Sequence, residues 1–221
     1  MKIKRNLLSG LYVIIDSAYV PEEKFEQAVL AIKSSDVKIV QFRDKISSPQ
    51  DVLRYALRIQ RILPRDIIYI INDYVEIAVD IGADGVHLGQ NDMKVTKARS
   101  VVGEDMIIGL STHSVEEALR ALSEPVDYIG YGPVYATKTK PGLKPIHPNG
   151  ITKFRKLLHM PVFAIGGIDK SNIDTVLETG ADGASIVSAI WESKDWPATM
   201  QMYAEQIKQY HLLHTAETQQ L

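Results

Sequence analysis

Short β-branched runs alternate with amphipathic stretches along nearly the whole chain, and no other feature constrains the fold as strongly. The strand candidates are Leu11–Ile15, Val37–Phe42, Ile67–Ile71, Gly85–Leu88, Met106–Leu110, Asp127–Gly132, Val162–Ile165 and Ala184–Ser188. Between them, at Glu22–Lys33, Pro49–Ile62, Val115–Leu122 and Asn172–Glu178, apolar residues recur at three- and four-residue spacing, the helical period. Eight strands with intervening helices predict an α/β fold, a (β/α)8 TIM barrel in a single domain over residues 1–221. An open doubly wound sheet is the alternative, but its Gly-rich dinucleotide fingerprint is missing after the first strand.

An internal echo supports the barrel. Gly82-Ala83-Asp84-Gly85 leads into the fourth strand and Gly180-Ala181-Asp182-Gly183 into the eighth, as in a duplicated half-barrel. The same tetrapeptide is also good αβ-turn chemistry, on the face of a barrel that serves stability. No Pro/Gly/Ser-rich linker divides the chain. The long irregular stretch from Tyr135 to Gly150 has the length of a functional lid. The tail after about Tyr210 is expected to fray.

Composition narrows the function classes. The chain has 221 residues, with 25 Lys+Arg against 27 Asp+Glu, so no basic surplus points to nucleic acid. There is no cysteine, which removes disulfides, thiolate metal sites and a Cys nucleophile. No apolar run has membrane-spanning length, and Asp16 interrupts the first apolar stretch. A soluble, cytoplasmic protein is expected.

Several constellations sit at expected strand ends. Asp73 follows the third strand and Asp92 follows the fourth. Neighbouring strands lie roughly 4.8 Å apart, so the two carboxylates are within reach of one hard cation such as Mg2+. Turn chemistry alone also explains an Asn-Asp pair. In Gln41-Phe42-Arg43-Asp44-Lys45, residues Gln41, Arg43 and Lys45 fall at period two and share one side of an extended strand. Two cations aimed at a barrel mouth suit a diphosphate, with solvated strand-end charges as the plain alternative. Ile165-Gly166-Gly167-Ile168 and Val187-Ser188 follow the last two strands, where barrels bind phosphate monoesters. Ser111 is placed to meet a substrate, and Ser114 caps a helix with Glu117 at capping-box spacing. His113 is an acid/base candidate, although a histidine beside a cap is more often structural. His87 reads as a satisfied core histidine and His147 as solvated loop. No Ser/His/Asp hydrolase pattern is present.

With Gln41–Lys45, Asn72-Asp73, His87–Asp92, Ser111–Ser114, Gly132–Lys140, Ile165–Ile168 and Val187–Ile190 in order at strand ends, the chain resembles the thiamine phosphate synthase family from Leu11 to Trp191. That resemblance implies condensation of hydroxymethylpyrimidine diphosphate with thiazole phosphate, releasing pyrophosphate. It implies Gln41, Phe42, Arg43, Asp44, Lys45, Asn72, Ser111 and Lys140 around the pyrimidine diphosphate, with Arg43, Lys45, Lys140 and Ser111 acting at the reacting centre. It implies Asp73 and Asp92 on Mg2+. Thr137, Lys138, Thr139, Gly167, Val187 and Ser188 would hold the thiazole phosphate. Asn91 stands where the family commonly carries an acid. A related thiazole tautomerase and a non-catalytic ligand-sensing protein are the competing readings.

Overall fold

A computed structural model describes residues 7–139 and 142–218, with side chains described as far as His214. Eight parallel strands form a closed barrel in sequence order. They are β1 (Gly10–Asp16), β2 (Ile39–Arg43), β3 (Ile68–Asn72), β4 (Gly85–Leu88), β5 (Ile107–Thr112), β6 (Tyr128–Tyr131), β7 (Val162–Ile165) and β8 (Gly183–Ile186). The ring closes where Gly10–Val13 pairs with Gly183–Ile186.

Helices α1 (Phe25–Lys33), α2 (Pro49–Ile62), α3 (Val75–Ile81), α4 (Val95–Val102), α5 (Val115–Arg120), α6 (Gly150–Phe154), α7 (Ile173–Leu177), α8 (Ser188–Trp191) and α9 (Trp196–Thr218) follow the strands. Local chemistry explains α2 well. Ser48 Oγ accepts the Asp51 N–H, Pro49 occupies the first turn, and Val52, Ala56 and Ile59 turn inward at helical spacing. The expected eighth strand ran to Ser188. It stops at Ile186 because Val187 leaves the β region (φ −121°, ψ −83°) to open α8. The tail expected to fray after about Tyr210 instead continues as α9 to Thr218. There Tyr210 stacks on His214 at 4.0 Å, and His211 Nε2 lies 3.2 Å from the Asp182 carbonyl.

Strands covered on both faces are buried almost throughout. Alternate residues face the helices, as where Phe42 meets Phe25 edge-on at 5.6 Å. The others fill the barrel, where Tyr12, Tyr128 and Phe163 pack at centroid distances of 5.2–5.9 Å. Gly109 makes that filling fit, because a Cβ there would run into the Tyr128 ring and His87 Nδ1.

One device recurs at the amino ends of the strands. Asp84 Oδ2 accepts the Tyr69 N–H (2.9 Å), Asp127 Oδ2 that of Ile108 (2.8 Å) and Asp182 Oδ2 that of Val162 (2.7 Å). Each aspartate precedes an even-numbered strand and clamps the odd-numbered strand before it. Arg99 pairs with Asp127 at 2.7 Å and Arg155 with Asp182 at 3.0 Å.

Candidate active site

The carboxyl ends of the strands surround a cleft. Of the residues singled out in the sequence, Gln41, Arg43, Asn72, Ser111, His113, Thr137, Thr139, Gly167, Val187 and Ser188 line it. The period-two reading of β2 explains why Phe42 and Asp44 do not. Phe42 is buried against α1, and Asp44 Oδ1 accepts the Ile46 and Ser47 N–H groups at 2.9 and 3.0 Å to shape the following turn. Lys138 is exposed outside the lining, and Lys140 lies outside the described residues.

Both cations at the end of β2 are held by carboxylates. Arg43 meets Asp16 at 2.5 Å, across the β1–β2 register that pairs these two residues, and Asp16 is only 1% exposed. Lys45 forms an ion pair with Asp73 at the rim. Asp73 is left-handed (φ 63°), a conformation that Asp tolerates better than most residues, and its N–H donates to the His87 carbonyl at 2.9 Å. Burial, and then the neighbouring Asp92 carboxylate, push the Asp73 carboxyl up to about 6 against the opposing pull of Lys45. Asp92 Oδ2 also accepts the Gly89 N–H at 2.7 Å, which fixes the turn after β4.

Two crowded carboxylates, one of them raised by burial and then by its neighbour, are a donor set that a hard divalent cation would relieve. The fit is to Mg2+, which takes one or two carboxylates and leaves its other positions to phosphate oxygens and water. Among the described residues no group of three or more His, Cys, Asp or Glu forms a fuller cage.

Across the mouth, Gly166 (φ 98°) and Gly167 (φ 64°) end β7. A Cβ on Gly167 would strike the Ala136 carbonyl and Tyr135, so glycine is needed for this close approach. Ser188 opens α8, which is fastened to the barrel where Trp191 Nε1–H donates to the Ile14 carbonyl at 2.6 Å. Thr139 joins this side through the Tyr19 hydroxyl at 3.0 Å.

His113 has its Nδ1 2.5 Å from the Gly132 carbonyl, and its N–H donates to Glu117 Oε2 at 2.7 Å. Ser114 Oγ caps α5 by accepting the Glu117 N–H at 3.1 Å. The exposed His147 packs against Tyr135 in the long loop.

The floor of the cleft holds what the motif reading missed. Gln41 Nε2 reaches the Tyr12 hydroxyl (2.8 Å), and Tyr12 reaches the Tyr128 hydroxyl (2.8 Å). Tyr128 continues to His87 Nδ1 (2.9 Å), whose Nε2 meets Ser111 Oγ (2.9 Å). His87 is thus buried with both ring nitrogens engaged. Ser185, beside Tyr12 in the β1–β8 register, lines the cleft with a buried hydroxyl that has no hydrogen-bond partner among the described residues. Asp16 had one legible signal, an acid ending an apolar strand. The tyrosines had none.

Comparison with known proteins adds to this geometry. The family model described as thiamine monophosphate synthase matches residues 11–190. The chain is 39% identical over 191 residues to a thiamine-phosphate synthase of Methanobrevibacter smithii, covering 86% of this chain and 91% of that relative. It is 41% identical over 170 residues to one of Gloeobacter violaceus, covering 76% of this chain. The chain spans about half the length of this second relative, 50%. A solved thiamine phosphate pyrophosphorylase from Pyrococcus furiosus superposes with a TM-score of 0.81 at 29% identity, covering 93% of this chain and 98% of the other.

Proposed function

The chain belongs to the thiamine monophosphate synthase family, and on that premise we propose that it condenses hydroxymethylpyrimidine diphosphate with thiazole phosphate to give thiamine phosphate and pyrophosphate. The observation that carries this reading is the pairing of two unlike anion sites around one cleft. Arg43 and Asp16 line one side, with the Lys45–Asp73 pair just outside the lining, and the Gly166-Gly167 turn and Ser188 line the other.

The bond between the pyrimidine methylene and the diphosphate breaks, and its electron pair leaves on the diphosphate oxygen. The aminopyrimidine ring stabilises the methylene cation that remains, and the thiazole ring nitrogen supplies the pair for the new C–N bond. No proton is lost from that nitrogen, so the protein's work is alignment and stabilisation of the leaving anion. Mg2+ held by Asp73 and Asp92 would supply a Lewis acid to the diphosphate. Lys45, now bound to Asp73, would turn to the diphosphate once that carboxylate is otherwise engaged. Arg43, braced by Asp16, would present its planar fork to the same anion. Asn72 and Gln41 would position the pyrimidine, and the family resemblance adds Lys140, outside the described residues, to the diphosphate contacts. Ser188, Val187, Gly167, Thr137, Lys138 and Thr139 would hold the thiazole phosphate. Both proposed partners are small molecules, with no nucleic acid and no membrane. Among the described residues no helix is long and apolar enough to cross a membrane. We read the chain as one cytoplasmic domain over residues 1–221.

The test is pyrophosphate release with both substrates, with and without Mg2+. Turnover that requires both substrates and stops in excess chelator is expected. Activity untouched by chelator removes the metal assignment, and absence of turnover removes the reaction. Conversion of an unaromatised thiazole phosphate alone would move the chain to the tautomerase reading.

A further inference from the structure

The chain Gln41–Tyr12–Tyr128–His87–Ser111 draws on five different strands. Gln41 and Tyr12 are each 2% exposed, Tyr128 0%, His87 9% and Ser111 8%. Such a buried network has few ways to place its protons, since each must find an acceptor. Gln41 Nε2 is a donor only, so it donates to the Tyr12 oxygen. Tyr12 then passes its own proton to the Tyr128 oxygen, and Tyr128 passes its proton to His87 Nδ1. A neutral imidazole accepting at Nδ1 carries its proton on Nε2 and donates it to Ser111 Oγ. Burial holds both phenols well above their ordinary range, so they remain hydroxyl donors. Ser111 is left with a proton to give to a ligand in the cleft it lines, and Gln41 is left with a carbonyl oxygen to accept one.

The opposite order is also self-consistent. With the Gln41 carbonyl turned to Tyr12 every bond reverses, and Ser111 offers only lone pairs. With His87 neutral the two ends are therefore not independent, because all four bonds share one direction.

We infer that Tyr12, Tyr128 and His87 are positioning residues that lock Gln41 as an acceptor and Ser111 as a donor toward the ring of the pyrimidine substrate, and thereby select an aminopyrimidine over its oxo analogue. This rests on the proposed reaction. An aminopyrimidine pairs an exocyclic N–H donor with ring-nitrogen acceptors, which matches this direction. The oxo analogue presents a carbonyl and a ring N–H instead, and matches the reverse. Sites that hydrogen-bond a specific group discriminate strongly against a ligand lacking it, because buried polar groups are then stranded.

Two measurements test the relay. The first needs no substrate. In 15N-labelled protein the imidazole nitrogen shifts of His87, assigned by difference from His87→Gln, should report one neutral tautomer with the proton on Nε2. A proton on Nδ1 would overturn the inference. The second compares kcat/KM for the amino and oxo pyrimidine diphosphates. The wild type should prefer the amino compound by at least about a hundredfold. Tyr128→Phe keeps the ring but cuts the relay, and should shrink that ratio tenfold or more. Tyr12→Phe cuts it one bond earlier, away from His87, and should do the same. Lower activity with the ratio unchanged in both variants would mark the network as merely structural and overturn the inference. If the wild type turns over neither pyrimidine, the proposed reaction falls, and the His87 tautomer still decides the direction of the relay.

Discussion

Asp73 combines two unfavourable states, a left-handed backbone and a half-buried carboxylate beside a second one. Its folded-state value of about 6 lies above the ordinary carboxylate value of 3.8, so the folded chain binds that proton more tightly than the unfolded chain. Its contribution to stability is thus full below the unfolded value and fades as pH rises through about 6. Thermal melts of metal-free protein should show this loss between about pH 4 and 6, and Asp73→Asn should flatten it. An unchanged slope in that variant would assign the effect to another group. His113 is the opposite case, a cleft residue with no proton to move in the proposed reaction. His113→Ala should lower kcat by less than about tenfold in steady-state assays, whereas loss of a true general base typically costs roughly 10²–10⁴-fold. The side on which Gln41 and Arg43 project was readable from the sequence, because strand alternation is a local property, whereas Lys45 lies past the end of β2 and outside the cleft lining. The partner of Arg43 was not. Asp16 lies on another strand, and only the β1–β2 register joins the two.

At the scale of elements, the Gly-Ala-Asp-Gly echo marked two turns and left their purpose undefined. The structure makes both aspartates strand clamps and adds Asp127, whose surrounding Pro125-Val126-Asp127 breaks the repeat. The third clamp was illegible because it is conserved in geometry and not in flanking residues. Asp127 and Arg99 form a largely buried ion pair, with side chains 10% and 11% exposed. Removing one member of such a pair leaves an uncompensated charge and a stranded strand N–H. Asp127→Ala should cost about 3 kcal/mol by urea unfolding. A change below about 1 kcal/mol, the usual worth of a surface pair, would mean solvent replaces the clamp. Strand and helix positions were legible because period two and period 3.6 differ sharply. Strand ends were less so, as at Val187, where apolar character continues after the backbone has turned.

For the whole molecule, the mouth divides into a cation-bearing side at β2–β4 and a glycine-and-serine side at β7–β8. Lys45→Ala should damage use of the diphosphate, while Ser188→Ala should mainly raise the KM for thiazole phosphate. Initial-rate kinetics varying one substrate at a time would separate these effects, and the reverse pattern would exchange the two assignments. The barrel was visible in sequence order. The floor was not, since Tyr12 and Tyr128 meet across 116 positions through no shared motif. The aspartate clamps reach only 15 to 20 positions along the chain. By contrast, the ring closes where Gly10 N–H meets the Asp182 carbonyl, almost a full barrel away. Loop-closure entropy rises by roughly 0.6 kcal/mol per doubling of length, and this seam is roughly three doublings longer. Closure entropy therefore favours early pairing of neighbouring strands and late closure of the β1–β8 seam. A circular permutant opened between β8 and β1 would move the late step to a new junction and leave the finished ring the same.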